Sequence, residues 1–419
     1  MRSNLLLAVV FLLLVCIFGC KPAGSLSTGN MAYLYAEIPK TPFLQIVPFS
    51  TNEMTTHIYA RWRYSDLKYL KDEKNKARLP HASYSLHFEV YPIYRPTTLL
   101  DSGTFFLADS LHEGSSQTCD FEFDVKAPQG QTSLLHLTLA DRNNHASFAV
   151  SFYIKKDEPG SSSFFRAGQE GSGMRYTPVM NTLQPVVVTY ANPAVKRLYG
   201  SYFRDHLPLP APPFILDEHQ SFKAEPDSTF IIALEKGNSA PLELKKQGIF
   251  FFSIDTAYKE GLALFRYSPG FPELITPRQM LMPLRYITSG KEFEKLSKSP
   301  DIRNAVDSFW VVTAGNTARA LRLIHDYYSR VQRSNELFSS NAEGWQTDRG
   351  MIYIIYGAPT IVYRRNFQEE WIYGESRNLR SLHFYFMKTV NPFSTSDFVL
   401  SRDPTLKQTW YMAVEKWRR

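Results

Sequence analysis

Two carboxylates in the C-terminal third of the chain stand where they could support chemistry. Asp348 lies in Gly344-Trp345-Gln346-Thr347-Asp348-Arg349-Gly350, and Glu370 precedes Trp371-Ile372-Tyr373. Carboxyl groups on either side of a glycosidic bond can divide the roles of acid and base or nucleophile. With aromatics lining a cleft, Asp348 and Glu370 would suit a glycan-binding or glycan-processing protein, although sequence does not supply their separation. Asp348 also has a simpler role open to it. Thr347-Asp348-Arg349-Gly350 has turn composition, and its carboxylate can accept backbone N–H groups ahead of it.

Other chemistries find less support. The nucleophile elbow Gly-x-Ser-x-Gly is absent, and Ser172 sits in a Gly/Ser-rich run, a poor place to hold geometry. The 10 histidines are scattered, and none forms a His-x-x-x-His pair. His325 and Asp326 are adjacent on a predicted helix, so they point in different directions. Gly344 and Gly350 lack the spacing of a phosphate-binding loop. The 3 cysteines are Cys16, Cys20 and Cys119, too few for a thiolate zinc site. No catalytic residue, metal ligand or cofactor is assigned. Cys119, in an alternating run, reads as a small buried apolar residue.

Cys20 has a chemistry of its own. The chain opens with Arg2 and an unbroken apolar run from Leu5 to Phe18, too short to span a bilayer comfortably but the length of a signal-peptide core. Ile17-Phe18-Gly19-Cys20, which ends that run, resembles the lipobox of bacterial lipoproteins. The resemblance implies cleavage after Gly19, a diacylglycerol on the Cys20 thiol and an acyl chain such as palmitate on the new amine. Each buried methylene contributes about 0.8 kcal/mol, so several chains anchor where one would not. Residues 20–30 then read as a polar tether. They lack the acidic cluster that marks lipoproteins for surface export in some bacteria, so the expected location is the periplasmic face of the outer membrane.

With Cys20 acylated, Cys119 has no intrachain partner, and disulfides cannot hold the fold. The formal net charge of +7 is spread along the chain. Without a basic stripe or arm, no nucleic-acid partner is expected.

The elements that must position these residues fall into three regions. Alternating runs such as Tyr84–Tyr94 and Ser133–Asp141 recur across 31–156 and predict a β-sandwich-like domain. Residues 157–175 are rich in Gly and Ser and read as a linker, and 176–278 as a second, smaller β domain. From 279 to 419 the period changes. Ser289-x-x-Glu292 has capping-box spacing, and Ser299-Pro300-Asp301 reads as a helix start with proline at the first helical position. A long helix is predicted from near Thr317 to Phe338, with Arg319, Arg322, Arg330 and Arg333 on a solvated face. Gly344 is expected to supply a positive φ after that helix, Trp345 to lock its end, and Met351 to Tyr356 to form a strand ended by Gly357 and Pro359. Later strands contain Glu370-Trp371-Ile372-Tyr373, Leu382–Phe386 and Asp397–Leu400. The fold class expected is mainly β with an α+β C-terminal domain: tandem sandwich-like domains, then helices packed on a small antiparallel sheet.

The ordered set Gly344-Trp345-Gln346-Thr347-Asp348-Arg349-Gly350, Tyr356-Gly357-Ala358-Pro359 and Glu370-Trp371-Ile372-Tyr373 resembles the GWxTD-domain family of bacterial envelope proteins. Phe309-Trp310 and Tyr327-Tyr328-Ser329-Arg330-Val331 match that family's helical lead-in. The likeness covers about 280–400 and departs from the family at Val311-Val312-Thr313, where Arg-Asp-Pro is frequent. It implies architecture rather than activity. The expectation is a non-enzymatic, lipid-anchored interaction or scaffold module of the cell envelope with a protein partner, the glycan protein being the alternative.

Overall fold

The computed structural model describes residues 29–37, 44–71, 79–94, 97–110, 118–169, 173–204, 208–216, 225–256, 260–365, 367–389 and 392–419. The expected signal peptide, Cys20 and most of the tether lie outside these residues. No described helix is long and apolar enough to cross a membrane.

The first region is a two-sheet sandwich of β1 (Gln45–Phe49), β2 (Thr55–Arg63), β3 (His81–Pro92), β4 (Asp101–Ser110), β5 (Thr118–Lys126), β6 (Thr132–Asp141) and β7 (Ser147–Lys155). One sheet has the order β1-β2-β5 and the other β4-β3-β6-β7. Strict alternation in β3 and β6 turns Tyr84, Leu86, Phe88 and Val90 inward with Leu135, Leu137 and Leu139, to meet Ile58, Trp62 and Phe123 of the other sheet. Cys119 is half-buried rather than buried, near the Tyr84 hydroxyl, and desolvation pushes its thiol pKa up. Just after β7, the buried Lys156 ammonium donates to the carbonyls of Asn52 (2.7 Å), Glu53 (3.2 Å), Thr55 (3.2 Å) and Ala127 (2.8 Å). It thereby staples the edge of one sheet to turns of the other. Burial pushes its pKa down to about 8, which leaves the ammonium dominant at neutral pH.

The second region contains β8 (Phe165–Gln169), β9 (Gly173–Met174), β10 (Val186–Tyr190), β11 (Arg197–Phe203), β12 (Ser228–Glu235), β13 (Asn238–Ser239), β14 (Gly248–Ser253) and β15 (Leu262–Arg266). They form one sheet in the order β15-β14-β11-β12-β13-β10-β8-β9, wrapped around one apolar cluster that includes Phe165, Val188, Leu198, Ile232 and Phe252. Part of the predicted linker therefore corrects to strand. Phe165 to Gln169 pair in antiparallel register with Tyr190 to Val186, because Phe165 and Ala167 belong to this core.

The third region contains α1 (Pro277–Leu281), α2 (Gly290–Ser297), α3 (Ile302–Ala314), α4 (Thr317–Phe338), α5 (Asp348–Tyr356), the sheet β16 (Ile361–Arg364), β17 (Gln368–Tyr373), β18 (Leu382–Lys388), β19 (Phe398–Leu400), and α6 (Lys407–Arg418). The sheet is antiparallel in chain order. Ser289 and Glu292 close the expected capping box. Asp301 rather than Ser299 caps α3, so Pro300 precedes the cap instead of opening the helix. The expected strand Met351–Tyr356 is helix. Thr347 caps it, accepting from the Gly350 N–H (3.1 Å), and Met351 to Ile355 are all buried, so an unbroken apolar run suits a helix enclosed on every side.

The second and third regions share a wall. The far side of the β14–β15 hairpin carries Ile249, Phe251, Ala263 and Phe265, which cluster with Phe203 and with Phe393 from beyond β18. The Tyr267 hydroxyl adds a bond to the Ser340 carbonyl (2.7 Å).

Candidate functional site

The Gly344–Gly350 motif is a crossing of two helices. The 3-10 turn Gly344–Gln346 lies so close to the end of α4 that a Cβ on Gly344 would sit 1.9 Å from the Ser334 carbonyl oxygen, and α5 lies so close to that turn that one on Gly350 would sit 1.8 Å from the Gly344 oxygen. Neither glycine has a positive φ, which corrects the expectation for Gly344: close approach requires it. The Trp345 plate is buried as expected, its indole donating to Glu343 (2.9 Å) and its backbone N–H to Asn335 Oδ1 (3.1 Å). Tyr286 donates to the Trp345 carbonyl (2.8 Å), and Glu343 also accepts from the Ser268 amide (2.7 Å) and hydroxyl. Asn335 joins the motif to the Pro272 carbonyl as well (3.0 Å).

Asp348 is the first residue of α5 rather than its N-cap. Thr347 has that role, and the buried Asp348 carboxylate accepts from the Leu400 amide (2.9 Å) and from Arg402 (2.6 Å), tying α5 to β19. Arg349, 2% exposed, lies between the rings of Phe338 and Phe398. It donates to the Ser396 carbonyl (2.7 Å) and hydroxyl (2.9 Å) and reaches Glu369 (3.4 Å).

Glu369, not Glu370, is the central carboxylate. It is wholly buried and accepts from Arg364 (2.7 Å), from the Trp371 indole (3.2 Å) and, at both oxygens, from the Tyr35 hydroxyl (3.0 and 2.8 Å). Arg364 also donates to the Tyr35 oxygen (2.6 Å). Burial by itself would raise the Glu369 pKa, but Arg349 and Arg364, with the Tyr35 and Trp371 hydrogen bonds, hold it below the ordinary carboxylate value. Desolvation, then Glu369, pushes Tyr35 up to about 12. Strand alternation carried the signal: with Trp371 inward, residue 369 shares its face.

Glu370 points to the other side of the sheet. It pairs across strands with Tyr385 and Tyr363, and its carboxylate meets His383 Nδ1 at 2.9 Å. Asp348 is engaged on the helical side, so the two carboxylates proposed as a pair belong to opposite faces of the sheet. Of the remaining motif residues, Trp371 is buried against Tyr35, Phe338 and Phe386. The Tyr373 hydroxyl donates to the carbonyl of Gly357, the α5 C-cap (2.8 Å), and Pro359 is buried before β16.

Tyr35 reaches this pocket from the far end of the chain. Asn30 donates to the Thr360 carbonyl (3.1 Å) and accepts from the Val362 amide (3.0 Å), while the Met31 amide donates to the Val362 carbonyl (2.9 Å). The short 3-10 turn Ala32–Tyr35 follows. Tyr353 donates to the Tyr35 carbonyl (3.1 Å), Arg333 to that of Ala36 (3.3 Å), and Arg330 pairs with Glu37 (3.5 Å). Arg330 and Arg333 therefore grip this segment, whereas sequence placed them on a solvated face. Among the described residues, no group of three or more His, Cys, Asp or Glu could hold a metal.

No curated protein matches the chain. Two solved structures of Bacteroides uniformis β-glucuronidase, one with β-glucuronidase 2 covalently bound to cyclophellitol-6-carboxylate aziridine, align at 15% and 14% identity over 27% and 30% of this chain. This chain spans 13% of each of them, and TM-scores of 0.19 and 0.20 carry no argument about fold or activity. The family model that matches is that of the GWxTD domain, over residues 248–419, and the C-terminal region of this chain is a GWxTD domain.

Proposed function

We propose that this chain is a non-enzymatic, lipid-anchored protein of the cell envelope, held through Cys20 at the periplasmic face of the outer membrane and acting as an interaction or scaffold module. The observation that carries the proposal is the engagement of the motif's charged groups. Asp348 is committed to Leu400 and Arg402, and Arg349 to Glu369 and Ser396, so both act as internal ties. The side of the β16–β19 sheet away from the helices offers a docking face for a protein partner. Tyr385 and Met387 are 40% and 46% exposed there, beside Tyr363, Glu370 and His383.

A photo-crosslinking residue at Tyr385 in membranes is expected to give a discrete protein adduct that Met387→Glu abolishes. The same residue at Leu321, exposed on α4, serves as control. Adducts indistinguishable between the two positions would reject the docking face. Glycan chemistry at Asp348 predicts that Asp348→Asn loses glycan binding at unchanged stability. The tie reading predicts that the variant leaves the mostly buried Arg402 side chain without its counter-charge and loses about 3 kcal/mol in urea unfolding.

A further inference from the structure

The charge cluster around the buried Glu369 of the GWxTD domain is built from Arg349, the partly exposed Arg364 and Trp371, all close together in sequence, and from one outsider, Tyr35. Removing that phenol would take a hydrogen-bond donor from both oxygens of a wholly buried carboxylate and open the rings of Phe338 and Trp371, which it contacts at 5.2 and 5.1 Å between centroids. The rest of the segment is held as a peptide ligand is held. Its start lies along the outer edge of β16, where the Met31 amide bonds Val362 and the Asn30 side chain replaces the next backbone partner. Its end is clasped by Arg330 and Arg333. Every one of these partners lies more than 290 residues away in sequence.

We propose that the groove bounded by α4, α5 and the β16 edge is a peptide-binding site. Its ligand is a short segment with an asparagine side chain at one end and, five residues on, a tyrosine that docks its hydroxyl on a buried carboxylate. In this chain the occupant is its own segment 30–37. The site makes the GWxTD domain, rather than the sandwich that follows in sequence, the body attached next to whatever precedes Gly29. Given the Cys20 anchoring proposed above, on which this consequence rests, the ten residue-to-residue steps from Cys20 to Asn30 reach at most roughly 35 Å. The GWxTD domain then lies within that distance of the bilayer.

The test uses the full chain with a protease site placed within residues 38–43 and cut to completion in isolated membranes. The body is expected to stay with the membranes after its backbone is severed. An excess of synthetic peptide 29–37 should release it, and a peptide carrying Tyr35→Ala should not. In the nicked chain Tyr35→Phe, which keeps the ring but loses the carboxylate bond, should release roughly ten- to a hundredfold faster. Body freed as fast as the backbone is cut would overturn the proposal, as would release unaffected by either Tyr35 change. If the uncut chain is not with the membranes, the anchoring reading fails. The groove is then judged on the aqueous chain by whether the N-terminal piece co-elutes with the body after cutting.

Discussion

Glu369 concentrates the residue-scale energetics. A wholly buried carboxylate is stable only while its guanidinium partners stay charged, and removing it leaves the buried Arg349 uncompensated, whereas Arg364 is partly exposed to water. Glu369→Gln is therefore expected to lose about 3–5 kcal/mol in urea unfolding at neutral pH. The pH dependence has a fixed sign. The folded-state pKa lies below the ordinary value of 4.5, so the contribution is complete above that value and disappears as pH falls through the folded one. Wild-type melting temperature should drop on acidification below 4.5, and the Gln variant should show a shallower drop. The two motif glycines make a different prediction. A methyl at Gly350 meets backbone rather than a yielding side chain, so Gly350→Ala should abolish native near-ultraviolet circular dichroism of the C-terminal region. Trp345→Ala, which empties a buried site, should cost about 3–5 kcal/mol and keep the fold.

At the scale of elements, legibility followed periodicity. α4 was readable because Leu321, Ile324, Tyr328 and Val331 recur at helical spacing, and its observed bounds, Thr317–Phe338, are those predicted. α5 was misread because six apolar residues in a row carry no period. The better signals were Thr347 before the run, Asp348 in the first turn and Gly357 after the last turn. Phe165–Gln169 was missed because Gly and Ser on both sides masked a five-residue strand. Glu369 was passed over for its neighbour, though alternation from Trp371 pointed to it. The Tyr35 contacts left no local trace at all, since nothing near residue 35 encodes a partner near 369. Lys156 is likewise silent in sequence and costly to remove. Lys156→Met should destabilise the first sandwich by about 1–3 kcal/mol for each carbonyl left without a donor, measured by chemical denaturation.

On the scale of the whole molecule, the family boundary at residue 248 coincides with the first residue of β14. The β14–β15 hairpin is sheet for the second region and wall for the third, through Phe251 and Phe393 at 5.4 Å. Phe393→Ala should therefore lower the stability of the second β region as well as of the GWxTD domain, read as a joint shift of one calorimetric transition. Two separate transitions, only one of them shifted, would show that the wall does not couple them.

The seating of Tyr35 imposes an order of events on biosynthesis. A ribosome delivers residue 35 more than three hundred residues before Glu369 and Trp371, so the groove does not exist while the front of the chain waits. Residues 30–37 are thus made long before the groove that seats them. During that interval the segment is open to competing contacts, and completion of the final sheet closes the window.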